Sequence, residues 1–203
     1  MMDMKIHHDA KRADGKRAGC GCACGSIHPV DVLSQEHQTI LTVLAAAEKE
    51  MRALQQGGAV RTPFWSGVLE FLEHYADRCH HAKEENLLFV ELEQAGLPAS
   101  HGPTVCMRAE HVAGRGMRAR MVAGLQAADG VALARAAGEY VVLLREHIEK
   151  EDHVLFPLAK SVLQKTAVDR IRRGFERVEN DDLGQGAHCR YEELARNLVA
   201  GSP

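Results

Sequence analysis

The stretch His80-His81-Ala82-Lys83-Glu84-Glu85-Asn86-Leu87-Leu88-Phe89 returns later in the chain as His147-Ile148-Glu149-Lys150-Glu151-Asp152-His153-Val154-Leu155-Phe156. Both copies open on histidine, carry lysine at the fourth position and glutamate at the fifth, and close on Leu-Phe. On an α-helix, residues four apart project from one face, one turn above the other. His80 with Glu84 and His147 with Glu151 are therefore paired donors. Two such pairs aimed into one helical interior supply two imidazoles and two carboxylates, the donors of a carboxylate-bridged dinuclear metal site.

The flanking sequence supports helices long enough to hold both copies. His28-Pro29 suits a helix start, and the stripe Leu33, His37, Ile40/Leu41, Leu44, Glu48, Met51 predicts a first helix ending near Gln56, before Gly57-Gly58. Thr62-Pro63 opens a second helix that reaches Gln94 and stops at Gly96. Gly102-Pro103-Thr104 begins a third, stopped by Asp129-Gly130, and a fourth runs from Val131 through Phe156, with a kink at Pro157, to Gln164. Shorter helical stretches follow near 166–180 and 187–199. The expected fold is all-α: an antiparallel up-down four-helix bundle over 28–164, a Cys-containing leader over 1–27 and a C-terminal helical extension over 165–203.

At about 100° per residue, His147 and Glu151 fall inside the apolar face of the fourth helix with Leu144, Ile148 and Leu155, while His153 points away. In the second helix His80 and Glu84 lie among Leu69, Leu72 and Leu87. His81 sits about a quarter turn off that face, which predicts an outer or surface role. His111 lies with Met107 and Gly114 on the third helix, and His37 within the stripe of the first. Each long helix thus offers one inward histidine. Two buried carboxylates beside four buried imidazoles are costly without a cation, so His37, His80, Glu84, His111, His147 and Glu151 form the candidate metal set. Such mixed donors suit Fe, Mn or Zn. Glu110 and Asp77 are candidate outer partners that would hold an imidazole in place.

The bulk composition agrees. The 203 residues are 45% hydrophobic and only 4% aromatic, with a formal charge of −3. There is no basic excess to neutralise nucleic-acid phosphates, no apolar run approaching the roughly 20 residues that cross a membrane, and no apolar signal-peptide core in the polar first residues. A cytoplasmic protein is the expectation. Cys20, Cys22, Cys24, Cys79, Cys106 and Cys189 do not follow the framework of a small disulfide-rich secreted domain. Cys20, Cys22 and Cys24 with His28 are candidate ligands for a separate zinc or iron, against the plainer reading of an inert leader.

Glu36-His37, the His80/Glu84 and His147/Glu151 pairs, Glu110-His111, the run Cys79 to Glu85 and the turn Gly102-Pro103 together resemble the hemerythrin-like (HHE cation-binding) family, in its bacterial branch. The resemblance spans about residues 28 to 164. It implies a non-haem di-iron centre with His37, His80, His111 and His147 as terminal ligands and Glu84 and Glu151 as bridges. One departure stands out. Oxygen-carrying hemerythrins have a second histidine one turn after that on the third helix, and here the position is Arg115. Their last carboxylate falls at the position of Asp152. A lost nitrogen ligand implies an open coordination position, with Arg115 placed to stabilise a bound anion. Three functions then compete: binding of, or reaction with, O2, NO or peroxide; iron storage or delivery to damaged iron–sulfur centres; and sensing through a protein partner.

Overall fold

The computed structural model describes residues 27–182 and 184–201, and within them every regular element is a helix. Helix α1 spans Pro29–Gln55, with the His28 side chain accepting from the Val30 amide at 3.4 Å. Helix α2 is one continuous rod over 62–94. It is α-helical in Thr62–Phe71 and Phe89–Gln94 but π-helical in Leu72–His81 and Glu84–Leu88. Its cap is Arg61, one residue before the Thr62 expected to hold that place. Helix α3 is Pro103–Gln126. Helix α4 covers 130–162 as Gly130–Lys150, a π-turn Glu151–Leu155 and Phe156–Val162. Helix α5 is Lys165–Arg177, with a π-turn Val178–Asp182 behind it, and α6 is Ala187–Ala200.

Pro157, which lacks an N–H and clashes with the carbonyl four residues back, is tolerated because the wide turn at Glu151–Leu155 precedes it. At the other end of α4, Asp129 Oδ1 accepts from the amides of Val131 and Ala132 at 3.1 and 2.9 Å. This cap closes the tight α3–α4 turn, where the helices come close enough that a β-carbon on Gly124 would lie 2.8 Å from the Leu133 nitrogen. Backbone cannot yield there as a side chain can. Gly124→Ala is expected to destabilise the protein by about 1–3 kcal/mol despite alanine's better helix propensity, read as a lowered melting temperature.

The apolar interior is divided in two. One cluster holds Ile40, Val43 and Leu44 of α1, Trp65 to Ala76 of α2, Met121 of α3 and Leu133 to Ile148 of α4. The other holds Val30 and Leu33 of α1, Leu88 to Leu92 of α2, Met107 of α3 and Leu155 to Ala159 of α4. The order in which a helix meets the two clusters reverses from each long helix to the next. Between the clusters lie buried His37, His80, His81, Glu84, His111, His147 and Glu151. The polar layer is thus sealed by hydrocarbon on both sides. No described helix is long and apolar enough to cross a membrane.

Candidate metal centre

The polar layer resolves into two donor groups. His37, His80, Glu84 and Glu151 present ligand atoms within 4.8 Å of one another, as do His81, Glu84, His111 and His147. All six residues read from the sequence converge here, and Glu84 belongs to both groups. Its Oε1 is 3.5 Å from His80 Nε2 and its Oε2 is 3.4 Å from His111 Nε2. Glu151 Oε2 lies 3.3 Å from His37 Nε2 and 3.2 Å from His147 Nε2. Each carboxylate therefore reaches both halves.

His81 departs from expectation. It is buried, stacked on the His111 ring at 3.9 Å, and faces the cluster instead of the surface. The cause is the π-helix that ends at His81. A π-turn closes i→i+5, so each residue rotates the chain less than in an α-helix, and adjacent His80 and His81 both look inward. His81 thereby brings an α2 nitrogen into the group of Glu84, His111 and His147. Arg115 itself is committed elsewhere, its Nε donating to Asp77 at 2.7 Å and its Nη2 to Glu85 at 2.9 Å. A guanidinium held by two carboxylates is not free to clamp an anion.

Behind the cluster runs a closed ring of hydrogen bonds. His80 Nδ1 donates to Glu36 of α1 at 2.9 Å, His111 Nδ1 to Glu85 of α2 at 2.7 Å, His147 Nδ1 to Glu110 of α3 at 3.0 Å, and His37 Nδ1 to Asp152 of α4 at 2.9 Å. Each helix holds the imidazole of the next, and the fourth holds the first. With Nδ1 occupied, Nε2 of each ring is turned inward, unpartnered in His37 and His80 and 3.0 Å from one another in His111 and His147, the arrangement that orients and strengthens metal-binding histidines. Glu110 takes the outer role expected of it. Asp77 serves Arg115 and lies 3.5 Å from His81 Nδ1. Asp152 backs His37 rather than entering the donor groups. Glu36, Glu85 and Asp152, which the sequence reading did not single out, take the same outer role for His80, His111 and His37.

Electrostatics describe a layer short of positive charge. Burial disfavours a charged His37, yet the carboxylates of Asp152 and Glu151 outweigh it and raise its pKa to about 10. Burial likewise opposes charge on His111, and Glu84 and Glu85 raise it to about 9. Burial would push Glu151 up, but His147 and His37 hold it well below the usual carboxylate range. His81 is driven the other way, well below 6.5, by burial and by the neighbouring His111, His80 and His147. Meanwhile both oxygens of Glu84 and of Glu151, Nε2 of His37 and His80, and both nitrogens of His81 are buried without a hydrogen-bond partner. Buried polar atoms are almost always satisfied. Converging orphans of this kind, on a hard-oxygen and imidazole donor set, fit a bound transition metal.

The remaining histidines and cysteines lie elsewhere or take other roles. His153 is exposed and pairs with Glu149 at 3.2 Å. His188, from α6, touches Glu36 at 3.3 Å and stands outside both donor groups. Cys79 is buried beside the site with burial pushing its thiol up, which makes it a small hydrophobe rather than a nucleophile. Cys20, Cys22 and Cys24 lie outside the described residues.

An uncharacterized protein of Mycobacterium tuberculosis (strain H37Rv) and another of Mycobacterium bovis are each 25% identical over 159 residues, covering 75% of this chain and 62% of their own length. The chain thus spans under two thirds of the curated relatives it matches. No solved structure matches it. The model of the hemerythrin HHE cation-binding domain matches residues 28–159, the stretch that supplies every member of both donor groups. The chain belongs to the hemerythrin HHE cation-binding domain family.

Proposed function

We propose that this protein holds a non-haem di-iron centre and uses it to bind, or react with, a small molecule such as O2, NO or peroxide. The observation that carries the reading is the pair of donor groups joined by Glu84, with their inward oxygens and nitrogens buried and unpartnered. His81, His111 and His147 would serve one iron and His37 and His80 the other, with Glu84 and Glu151 bridging. The reversal of cluster order along successive helices supports the antiparallel up-down bundle that such a centre needs. A bound iron pair supplies reversible electron transfer to a small ligand.

The two halves are unequal. Three imidazoles and two carboxylates would hold an ion in one, whereas two imidazoles and two carboxylates in the other would leave room for an exogenous ligand. That roomier half is walled by Phe156, whose ring stacks on His37 at 5.4 Å, and by the apolar cluster containing Leu33 and Leu155. Hydrocarbon walls exclude water and favour a small neutral molecule over a hydrated anion. The imidazoles would keep their Nδ1 protons, each donated to its carboxylate.

Metal analysis of protein from iron-supplemented cells, with optical spectra before and after exposure to oxygen, peroxide and nitric oxide, tests the reading. About two irons per chain and a ligand-dependent spectrum are expected. Iron-free protein of unchanged fold would reduce the layer to a structural one. Within this reading His81 is a ligand. His81→Ala should weaken one ion by at least ~100-fold, while His74→Ala, whose ring stacks on Tyr191 away from the cluster, should leave both ions in place. Equal metal content in the two variants would remove His81 from the set.

A further inference from the structure

Glu179 follows α5 and His188 lies on α6, both beyond the residues matched by the family. Both reach a fully buried lysine system behind the roomier half. Lys83 Nζ donates to Glu36 at 2.5 Å and to Glu179 at 2.6 Å, and His188 Nε2 lies 3.3 Å from the same Glu36 oxygen. The other oxygen of Glu36 accepts from His80 Nδ1 at 2.9 Å. We propose that Glu179 and His188 are positioning residues of the metal centre: through Lys83 and Glu36 they fix the His80 imidazole and set how tightly the two-imidazole half holds its ion. This inference rests on the metal reading above.

Several observations single out this corner. Glu36, Glu179 and His188 have donor atoms within 4.8 Å of one another, spacing that would suit a further cation. The Lys83 ammonium already fills that role, so the cluster is an ion-pair network and not a third metal site. Among the four carboxylates of the ring, Glu36 is 3% exposed, whereas Glu85, Glu110 and Asp152 are 17–22% exposed. Water screens the latter three. A change in charge balance around Glu36 is therefore passed to its imidazole with the least loss. The extension is also seated firmly on α2. The Phe175 ring lies 5.2 Å beneath Lys83 Nζ, and Gly174 leaves just the space that the Leu87 side chain occupies.

The direction of the effect follows from who shares Lys83. With Glu179 present, the lysine divides its donors between two carboxylates. With Glu179 neutralised, its charge falls wholly on Glu36, which then holds the His80 proton less strongly, and the imidazole becomes a poorer donor. Removing the lysine charge as well returns Glu36 to His80 and His188.

Anaerobic titration with cobalt(II), followed by calorimetry and by the visible bands of each bound ion, separates the outcomes. Wild-type protein is expected to bind two ions. Glu179→Gln should weaken one of them by ~10- to 100-fold and shift its band while sparing the other. The double variant Lys83→Met/Glu179→Gln should recover most of that affinity, which a merely structural role for Glu179 would not produce. Two ions unaffected by Glu179→Gln, both weakened alike, or a double variant weaker than the single would overturn the inference and leave the metal reading standing. Wild-type protein that takes up no cobalt would overturn both.

Discussion

Glu84→Gln should lower metal content from about two ions per chain to one or none, the largest effect expected of any single substitution in this protein. Glu84 alone belongs to both donor groups, one oxygen facing His80 and the other His111. Glutamine keeps the shape and removes the charge. In the metal-free protein two effects oppose: the variant avoids burying a charge but loses the carboxylate that faces His111 at 3.4 Å. In the loaded protein the exchange is severe, since the amide cannot bridge two cations. The variant should therefore gain far less melting temperature than wild type from added iron or cobalt. Glu85→Gln, which changes a carboxylate behind His111, should cost only ~10- to 100-fold in affinity. Stoichiometric binding of two ions by Glu84→Gln would end the bridging assignment.

Stripping the metal should change both the size and the pH dependence of stability. At free metal a thousandfold above its dissociation constant, loading contributes about 4 kcal/mol, enough to raise the melting temperature by roughly 10 °C in a chain of this size. Without it, the two bridging carboxylates lean on protonated imidazoles. The folded pKa of His37, about 10, and of His111, about 9, lie above the unfolded value of 6.5. Their contribution is thus complete below pH 6.5 and is lost as pH rises toward 9 and then 10. Glu36, Glu151 and Asp152 are held below their ordinary values, so a separate loss sets in as pH falls below the carboxylate range. Metal-free protein should melt earlier as the solution is made alkaline from pH 6.5. Loaded protein should not, because its imidazoles are already deprotonated. Calorimetric scans of both forms across that range check the sign; a metal-free protein that gains stability toward alkaline pH would refute it.

The sequence was a good guide wherever an ordinary α-helix was a good ruler. The starts at His28-Pro29 and Gly102-Pro103, the stops at Gly57 and Gly96, and the inward faces of His37, His111, His147 and Glu151 all lie on or next to α-helical segments. The ruler failed over Leu72–His81, where a π-helix turned His81 from the margin into the cluster. The doublets His80-His81 and Glu84-Glu85 were the available signal. Two adjacent histidines with two adjacent glutamates four residues on leave no room for one ordinary helical face to use them all. Of the four outer partners Glu110 was read from the sequence, and the other three were hidden for another reason. In Glu36-His37 the imidazole goes to the cluster while the neighbouring carboxylate serves a different helix. Such partnerships depend on how helices sit beside one another, which no single-helix periodicity records.

The ring of carboxylates carries a consequence for the topology itself. Leucines and alanines in the two apolar clusters are indifferent to which neighbour stands on the left and which on the right. The ring is not, because it passes from each helix to the next in one rotational sense. Were the same four rods wound in the opposite order, every Nδ1 would face a helix that offers it no carboxylate, and four buried donors would be stranded at a few kcal/mol each. The handedness of the assembly is thereby encoded in Glu36, Glu85, Glu110 and Asp152, residues that stand one step removed from the donors they hold.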